Sequence, residues 1–285
     1  MSGKDRQKQL AREHYERQTQ RRLEREAKSK RNAIIGTSVA AVVVVGGVIA
    51  ATTLLGGSDT TATATSEPAP SPSSSVSEAA GPAPTAFDPA AGTCGYAAAP
   101  DGAVKNVGLP PAKVDKSPKK MTIETNLGDI VIEVSAEKTP CTVNSFAHLA
   151  QKKYFNGSKC HRLGSDQFPM LQCGDPLAKA DGKNPTDGQG GPGYRFVNEN
   201  LEGAKYTRGV AAMANSGPDT NGSQFFLVYG DTQLPADYTP FGTVTKGLEI
   251  LDKVNKAGFI PPGDGGTGAP KETVEIKDVT MSSKS

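Results

Sequence analysis

Hydrophobic and polar positions change rhythm several times along this chain, and each rhythm predicts an element. From 33 to 55 there is no charged side chain, only a run of 23 residues rich in Val, Ala, Ile and Gly. At about 1.5 Å of rise per residue, a helix of that length crosses a hydrocarbon layer of roughly 30 Å. The pattern therefore predicts one transmembrane helix. From 121 the rhythm becomes period two. Residues 121–125 and 130–134 alternate Met, Ile and Val with polar side chains around Asn126, Leu127, Gly128 and Asp129, which predicts a hairpin. Thr139 before Pro140 reads as an N-cap and first helical turn. Val143, Phe146, Ala147 and Ala150 then recur at helical spacing, and Gly157 closes the segment. Strand-like runs follow at 161–163, 170–173, 210–214, 223–229, 241–245 and 274–281. A second helix is predicted over 248–256, with Leu248, Leu251 and Val254 on one face. Short strands parted by Gly and Pro turns, with two helices, predict a mainly β antiparallel barrel plugged by helices.

Charge sharpens this division. The net charge of +2 hides a basic head: residues 1–31 carry 11 Lys and Arg against 5 Asp and Glu. Such an excess just before the apolar run places a basic tail, 1–32, in the cytoplasm and the rest of the chain outside. A cleaved signal peptide is the rival reading, but both the charged and the apolar stretches exceed its usual dimensions. The remaining 21 basic and 25 acidic residues form no concentrated basic face, which excludes a broadly nucleic-acid-binding body. Residues 56–120 are rich in Ser, Thr, Ala and Pro and read as a linker, with Cys94 and Tyr96 marking a docked extension near 94–110. The folded domain is assigned to 121–282. The expected location is the cell membrane, single-pass, with that domain extracellular.

All four cysteines, Cys94, Cys141, Cys160 and Cys173, follow the apolar run, which is compatible with disulfides outside the cell. Strand parity puts Cys160 and Gln172 on one face and turns Cys173 to the other, arguing against a Cys160–Cys173 bridge unless a bulge intervenes. Cys141 is either a reactive thiol or a partner for Cys94, and the pairing stays open at this level.

Three segments carry candidate chemistry. The first is Cys160-His161-Arg162 with Met170-Leu171-Gln172-Cys173-Gly174-Asp175. The second is the glycine-rich stretch Gly188 to Gly193, followed by Tyr194, Arg195 and Phe196. The third runs from Gly209 through Met213, Ala214, Asn215 and Gly222 to Gln224, Phe225 and Phe226, with Phe241 and Gly242 downstream. In this order they resemble the cyclophilin family of peptidyl-prolyl cis–trans isomerases, over roughly 121–282. With the basic head, apolar run and spacer, the chain resembles a membrane-anchored actinobacterial member.

The resemblance implies a closed eight-stranded antiparallel β-barrel capped by two α-helices, with a shallow proline groove on its outer face. It implies catalytic roles for Arg162, Gln172 and Phe226. It implies substrate contacts from His161, Phe168, Met170, Ala214, Asn215, Gln224, Leu234 and Tyr238. It implies no cofactor and no metal, and proline-containing polypeptides, exported or of the cell envelope, as partners. The alternative it leaves is a catalytically weak module that binds Pro-containing envelope partners. Departures from the family pattern matter too. The stretch between Arg162 and Gln172 is about two residues longer than in well-known members, so either Phe168 or Pro169 stands in the place of a groove aromatic. Leu234 replaces a rim Trp, which should weaken cyclosporin-like ligands, and Tyr238 replaces a rim His.

Each of these candidates also has a blander reading. A lone Arg162 would ordinarily be a surface ion-pair residue, and the motif around it is what reverses that. Met213 reads as core. Cys160, His161 and Cys173 offer at most three metal ligands. The glycines at 188–193 lack the strand-to-helix context of a phosphate cradle.

Overall fold

The computed structural model describes residues 82–283, apart from 100–102, 166 and 261–265. The basic tail, the apolar run at 33–55 and the first part of the linker lie outside these residues. In chain order the elements are β1 (Thr85–Asp88), β2 (Thr93–Gly95), β3 (Ala97–Ala98), β4 (Ala103–Val104), β5 (Lys120–Thr125), β6 (Gly128–Val134) and α1 (Pro140–Gln151). They continue with β7 (Arg162–Gly164), β8 (Met170–Cys173), β9 (Gly190–Gly191), β10 (Tyr194–Arg195), β11 (Val210–Met213) and β12 (Phe225–Val228). The last are β13 (Pro240–Lys246), α2 (Leu248–Ala257), β14 (Thr267–Gly268) and β15 (Ile276–Ser282).

One nine-stranded sheet, in the order β14-β7-β8-β12-β11-β13-β6-β5-β15, forms the body. The closed eight-stranded barrel is corrected by this topology: the sheet is an open, strongly curled half-barrel. Closure needs a continuous ladder on both sides of every strand. Here β14 is two residues long, and β15 meets the chain before β7 only through an isolated bridge, Lys159 to Glu275, and a few neighbouring backbone bonds. The single-pass membrane topology is corrected as well: among the described residues no helix is long and apolar enough to cross a membrane. The run on which that expectation rested is not among them.

Period-two alternation divides the central strands between two apolar clusters. Leu171, Ala211, Met213, Phe225 and Leu227 point into the main core with Met121, Ile123, Ile130, Ile132, Phe146, Phe155 and Phe241. Their neighbours Met170, Ala212, Phe226 and Val228 form a second cluster with Tyr206 on the opposite face. Helix α1 fills the concave side, where the Phe146 ring lies 4.8 Å from Phe241 and 5.6 Å from Phe225. Helix α2 buries Ile250, Leu251 and Val254.

The start of α1 departs from expectation in one respect. Thr139 occupies the N-cap, but its hydroxyl donates to the Ser135 carbonyl (3.0 Å) instead of accepting from the helix. The free N–H groups of Cys141 and Thr142 donate to the Glu199 carboxylate at 3.0 and 2.9 Å, joined by the Thr142 hydroxyl at 2.7 Å. A carboxylate at this positive helix end is favoured by the helix dipole. Burial nevertheless raises the Glu199 pKa, with the bonds from Thr142 and Cys141 acting the other way.

Parts of the chain before β5 are fastened to α1. Cys94 is disulfide-bonded to Cys141, and the Tyr96 hydroxyl donates to the Cys141 carbonyl (2.8 Å). The Asn144 amide donates to the carbonyl of Pro111 (2.8 Å).

Candidate active site

The ladder registers make Arg162 on β7, Gln172 on β8, Phe226 on β12 and Ala212 on β11 successive cross-strand partners. Direct partners point to the same face, so a single row on the outer face runs from a cation, through an amide, to an aromatic ring. Strands are about 4.8 Å apart, which puts the Arg162 and Phe226 backbones roughly 10 Å from each other.

The apolar end is a shallow seat. Met170 and Phe226 are nearly buried, Val228 and Ala212 close the floor, and Leu234, Tyr238 and Ala214 pack at its rim. Tyr206 lies under it: its ring is 6.1 Å from Phe226 and 6.1 Å from Tyr238. Its hydroxyl donates to the Tyr238 carbonyl (2.7 Å) and accepts from the Tyr238 N–H (3.0 Å), so the rim is fixed from below.

The polar end is a directed chain of hydrogen bonds. Asp175, buried, accepts from the N–H groups of Gly188 (2.7 Å) and Gly190 (3.1 Å). The carbonyls of Gly188 and Gly190 then accept from the Gln224 amide at 2.8 and 2.9 Å. The Gln224 carbonyl accepts from the Gln172 amide (2.8 Å), and the Gln172 carbonyl accepts from Arg162 Nη1 (3.3 Å). Arg162 Nε donates in the other direction, to Thr267 Oγ1 on β14 (3.1 Å). The glycines are required by this packing: a Cβ on Gly190 would lie 1.9 Å from Asp175 Oδ1, and one on Gly174 2.2 Å from the Ser223 carbonyl.

Two ionisable groups here are shifted by their surroundings. Atoms crowded around Arg162 lower its pKa from the ordinary arginine value by desolvation, with Tyr238 acting in the opposite sense. Arginine keeps its charge in proteins, so a cation faces the seat. His161 is buried behind it, and neither ring nitrogen has a hydrogen-bond partner among the described residues. Burial lowers its pKa, Asp175 and Asp187 oppose that shift, and Arg162 adds to it. His161, Arg162, Gln172, Asp187 and Thr267 also line a cavity of about 430 Å³ whose walls include none of the seat residues.

Of the residues expected from sequence, Arg162, Gln172, Gln224, Met170 and Phe226 converge on this row and the seat. Leu234, Tyr238 and Ala214 join it at the rim. Asn215 flanks it, its side-chain amide donating to the Asp237 backbone carbonyl (2.9 Å), while the Ala214 N–H donates to the Gln224 backbone carbonyl (2.9 Å). Phe168 is 38 % exposed and lies outside the seat cluster, and Pro169 is buried against Gly230. Three residues of the site have no role implied by the sequence. Asp175 lies within the first motif, beside Gly174. Thr267 is 105 positions from Arg162 in a stretch with no periodic pattern, and Tyr206 precedes its strand without a distinguishing neighbour.

The cysteines pair as Cys94–Cys141 and Cys160–Cys173. The parity argument against the second bridge is corrected by a bulge in the strand itself. The His161 N–H donates to the Gln172 backbone carbonyl (3.0 Å) although Arg162 is the Cα partner of Gln172. Two residues thus oppose one, and the extra residue turns Cys160 toward Cys173.

Comparison with known proteins gives a consistent set of relatives. The family described as cyclophilin type peptidyl-prolyl cis-trans isomerase/CLD matches residues 120–281. A Mycobacterium tuberculosis protein named "Probable peptidyl-prolyl cis-trans isomerase B" is 44 % identical over 205 residues, covering 66 % of this chain and 63 % of that one. Its namesake in Mycobacterium leprae is 45 % identical over 199 residues, covering 64 % of this chain and 65 % of its own. The chain therefore spans just under two thirds of the length of these mycobacterial relatives. The human protein named peptidyl-prolyl cis-trans isomerase-like 3 is 42 % identical over 163 residues, covering 56 % of this chain and 94 % of its own length.

Proposed function

Since this chain belongs to the cyclophilin-type peptidyl-prolyl cis–trans isomerase family, we propose that it catalyses rotation about X–Pro bonds, with Arg162 as the group that lowers the barrier. The observation that carries this reading is the row itself: a guanidinium held by Gln172 and Thr267, two strands from an apolar cluster around Met170 and Phe226.

The chemistry needs little else. Rotation about an X–Pro bond is resisted by a barrier of roughly 18–20 kcal/mol because amide resonance is lost. At the twisted point the imide nitrogen becomes pyramidal and exposes a lone pair that the planar ground state lacks. A hydrogen bond donated by Arg162 to that lone pair exists only in the twisted state, so it accelerates the step and does not merely tighten binding. Gln172 and Thr267 hold the guanidinium from two sides, which removes the cost of orienting it during reaction. Met170 and Phe226, backed by the buried Tyr206, grip the ring and keep the nitrogen beside the fork. Ala214 and Asn215 lie where an extended substrate backbone would run. No covalent intermediate forms and no proton is lost.

The proposed substrates are proline-containing chains folding outside the reducing cytosol. Two disulfides among the described residues support this, since such bonds persist in oxidising surroundings. Leu234 at the rim, where the family resemblance implies Trp, supports weak binding of cyclosporin-like ligands. The test is turnover of an X–Pro peptide by the purified full chain. Catalysis above the spontaneous rate is expected, and its absence would favour a proline-binding module instead.

A further inference from the structure

We propose that the stretch before the family-matched domain belongs to the catalytic unit: β3 and β4 brace the glycine-rich segment at 188–195, whose carbonyls orient the side chains that hold Arg162. The inference rests on the isomerase reading above.

The segment needs support from outside. Four of the six residues from Gly188 to Gly193 are glycines. A glycine has the most backbone freedom to lose on ordering and no side chain to pack. Strands β9 and β10 also stand apart from the nine-stranded sheet. Among the described residues, their ladder partners lie before residue 120, where the family match begins. β4 runs parallel to β9, with Ala103 opposite Gly190 and Val104 opposite Gly191. β3 runs antiparallel to β10, with Ala98 opposite Tyr194 and Ala97 opposite Arg195.

Backbone groups of successive residues in an extended segment point to opposite edges. Gly190 faces the site: its N–H donates to the Asp175 carboxylate (3.1 Å), and its carbonyl accepts from the Gln224 side-chain amide (2.9 Å). Gly191 faces the other way, its carbonyl accepting from the Lys105 N–H (3.0 Å). Two positions on, the Gly193 carbonyl accepts from the Ala99 N–H (2.9 Å). The segment is therefore gripped along both edges. From the inner edge the bonds continue through the side chains of Gln224 and Gln172 to Arg162. Without β4 the carbonyls of Gly188 and Gly190 would keep Asp175 at their N–H groups but have no ladder behind them. A brace transmits only when its far end is fixed, and this one is. Cys94 is bonded to Cys141 on α1, and the Tyr96 ring packs edge-on, 5.7 Å from both Tyr194 and Phe196.

Substitutions at Lys105 in the full chain test this. Lys105→Pro removes the N–H that reaches Gly191, and Val104 before it is already extended, as a residue preceding proline must be. Lys105→Ala keeps that N–H and loses only the ammonium, which donates to the Tyr154 carbonyl (2.7 Å). In Lys105→Pro, kcat for an X–Pro peptide should fall about fivefold with KM within about twofold, as expected for a catalytic group held less well. The loss should not exceed that of Gln224→Ala, since Thr267 still holds Arg162 from its other side. Lys105→Ala should cost less than about twofold on the same scale. In a Gln224→Ala background Lys105→Pro should cost nothing more, because residues of one network act non-additively. A loss from general loosening of the fold would be the same fraction with and without Gln224. Hydrogen exchange reads the brace without turnover: the Gly188 and Gly190 amides should exchange about tenfold faster in Lys105→Pro. Wild-type kcat or wild-type exchange in that variant, or an equal fractional loss in the Gln224→Ala background, would overturn the proposal. Should Lys105→Pro not fold, Ala99→Pro removes the donor to Gly193 and carries the same expectations. If the wild-type chain fails to turn over the peptide, the isomerase reading falls, and exchange at the two glycines still decides the brace.

Discussion

The cationic end of the groove and its apolar end share one row of one sheet, yet they are held by different forces. Phe226, Met170, Ala212 and Val228 stay in place because alternation along β8, β11 and β12 pushes them to the outer face, where they bury one another. Arg162 has no such support. Its orientation depends on Thr267, Gln172 and Gln224, reached across separations of 105, 10 and, from Gln172 onward, 52 residues. A seat can be made by local pattern, whereas a directed fork requires distant segments to arrive in register. The two ends should therefore fail differently when damaged.

The largest effect is expected at the cation. Arg162→Ala should lower kcat about 100-fold or more, the scale of losing one preorganised donor, with little change in KM. Arg162→Lys should recover little of it, because an ammonium lacks the planar fork. Steady-state kinetics on an X–Pro peptide separates kcat from KM. Damage to the seat should invert the pattern. Phe226→Ala should raise KM about tenfold and leave kcat less affected. It should also cost roughly 3 kcal/mol in urea unfolding, since a nearly buried aromatic is removed. A Phe226→Ala enzyme that lost kcat at constant KM would erase the contrast between the ends.

Smaller effects should come from the hydrogen-bonded supports. Gln172→Ala and Gln224→Ala should each lower kcat about tenfold, and together by much less than the product, because both act through Arg162. Thr267→Val should lower kcat a few-fold, with Thr267→Ser restoring it. The smallest effect concerns stability. Burial holds the His161 pKa below its unfolded value of about 6.5. As pH falls below that value, the unfolded chain takes up a proton that the folded one resists, so stability should decline with acidity. The slope from this residue is at most about 1.4 kcal/mol per pH unit. Urea midpoints at pH 7.5 and 5.5 should show the decline, and His161→Phe should flatten it.

The sequence carried the period-two and period-3.6 elements well, because burial of Ile130, Ile132, Phe225, Leu251 or Val254 follows from local spacing. It carried the row's residue types through motif. It did not carry what depends on ends and partners. The sheet stays open because β14 is too short to continue a ladder, which no pattern within 266–268 reveals. The N-terminus of α1 is capped by Glu199, 57 residues beyond Thr142, and not by the adjacent threonine. Parity failed at Cys160 because a single bulged residue, His161, reverses every inference that counts by twos. The resemblance leaves either Phe168 or Pro169 in the place of a groove aromatic, and Phe168 is more than a third exposed and lies outside the seat cluster.

Catalysis turns on a hydrogen bond from Arg162 that exists only while the imide is twisted. NMR exchange spectroscopy on one X–Pro peptide, titrated with wild-type and Arg162→Ala protein, reads both the Kd and the cis–trans exchange rate of the bound peptide. The prediction is a Kd within about threefold for the two proteins and bound-state exchange slower by about 100-fold in the variant. Exchange at the wild-type rate once the variant is saturated would contradict it.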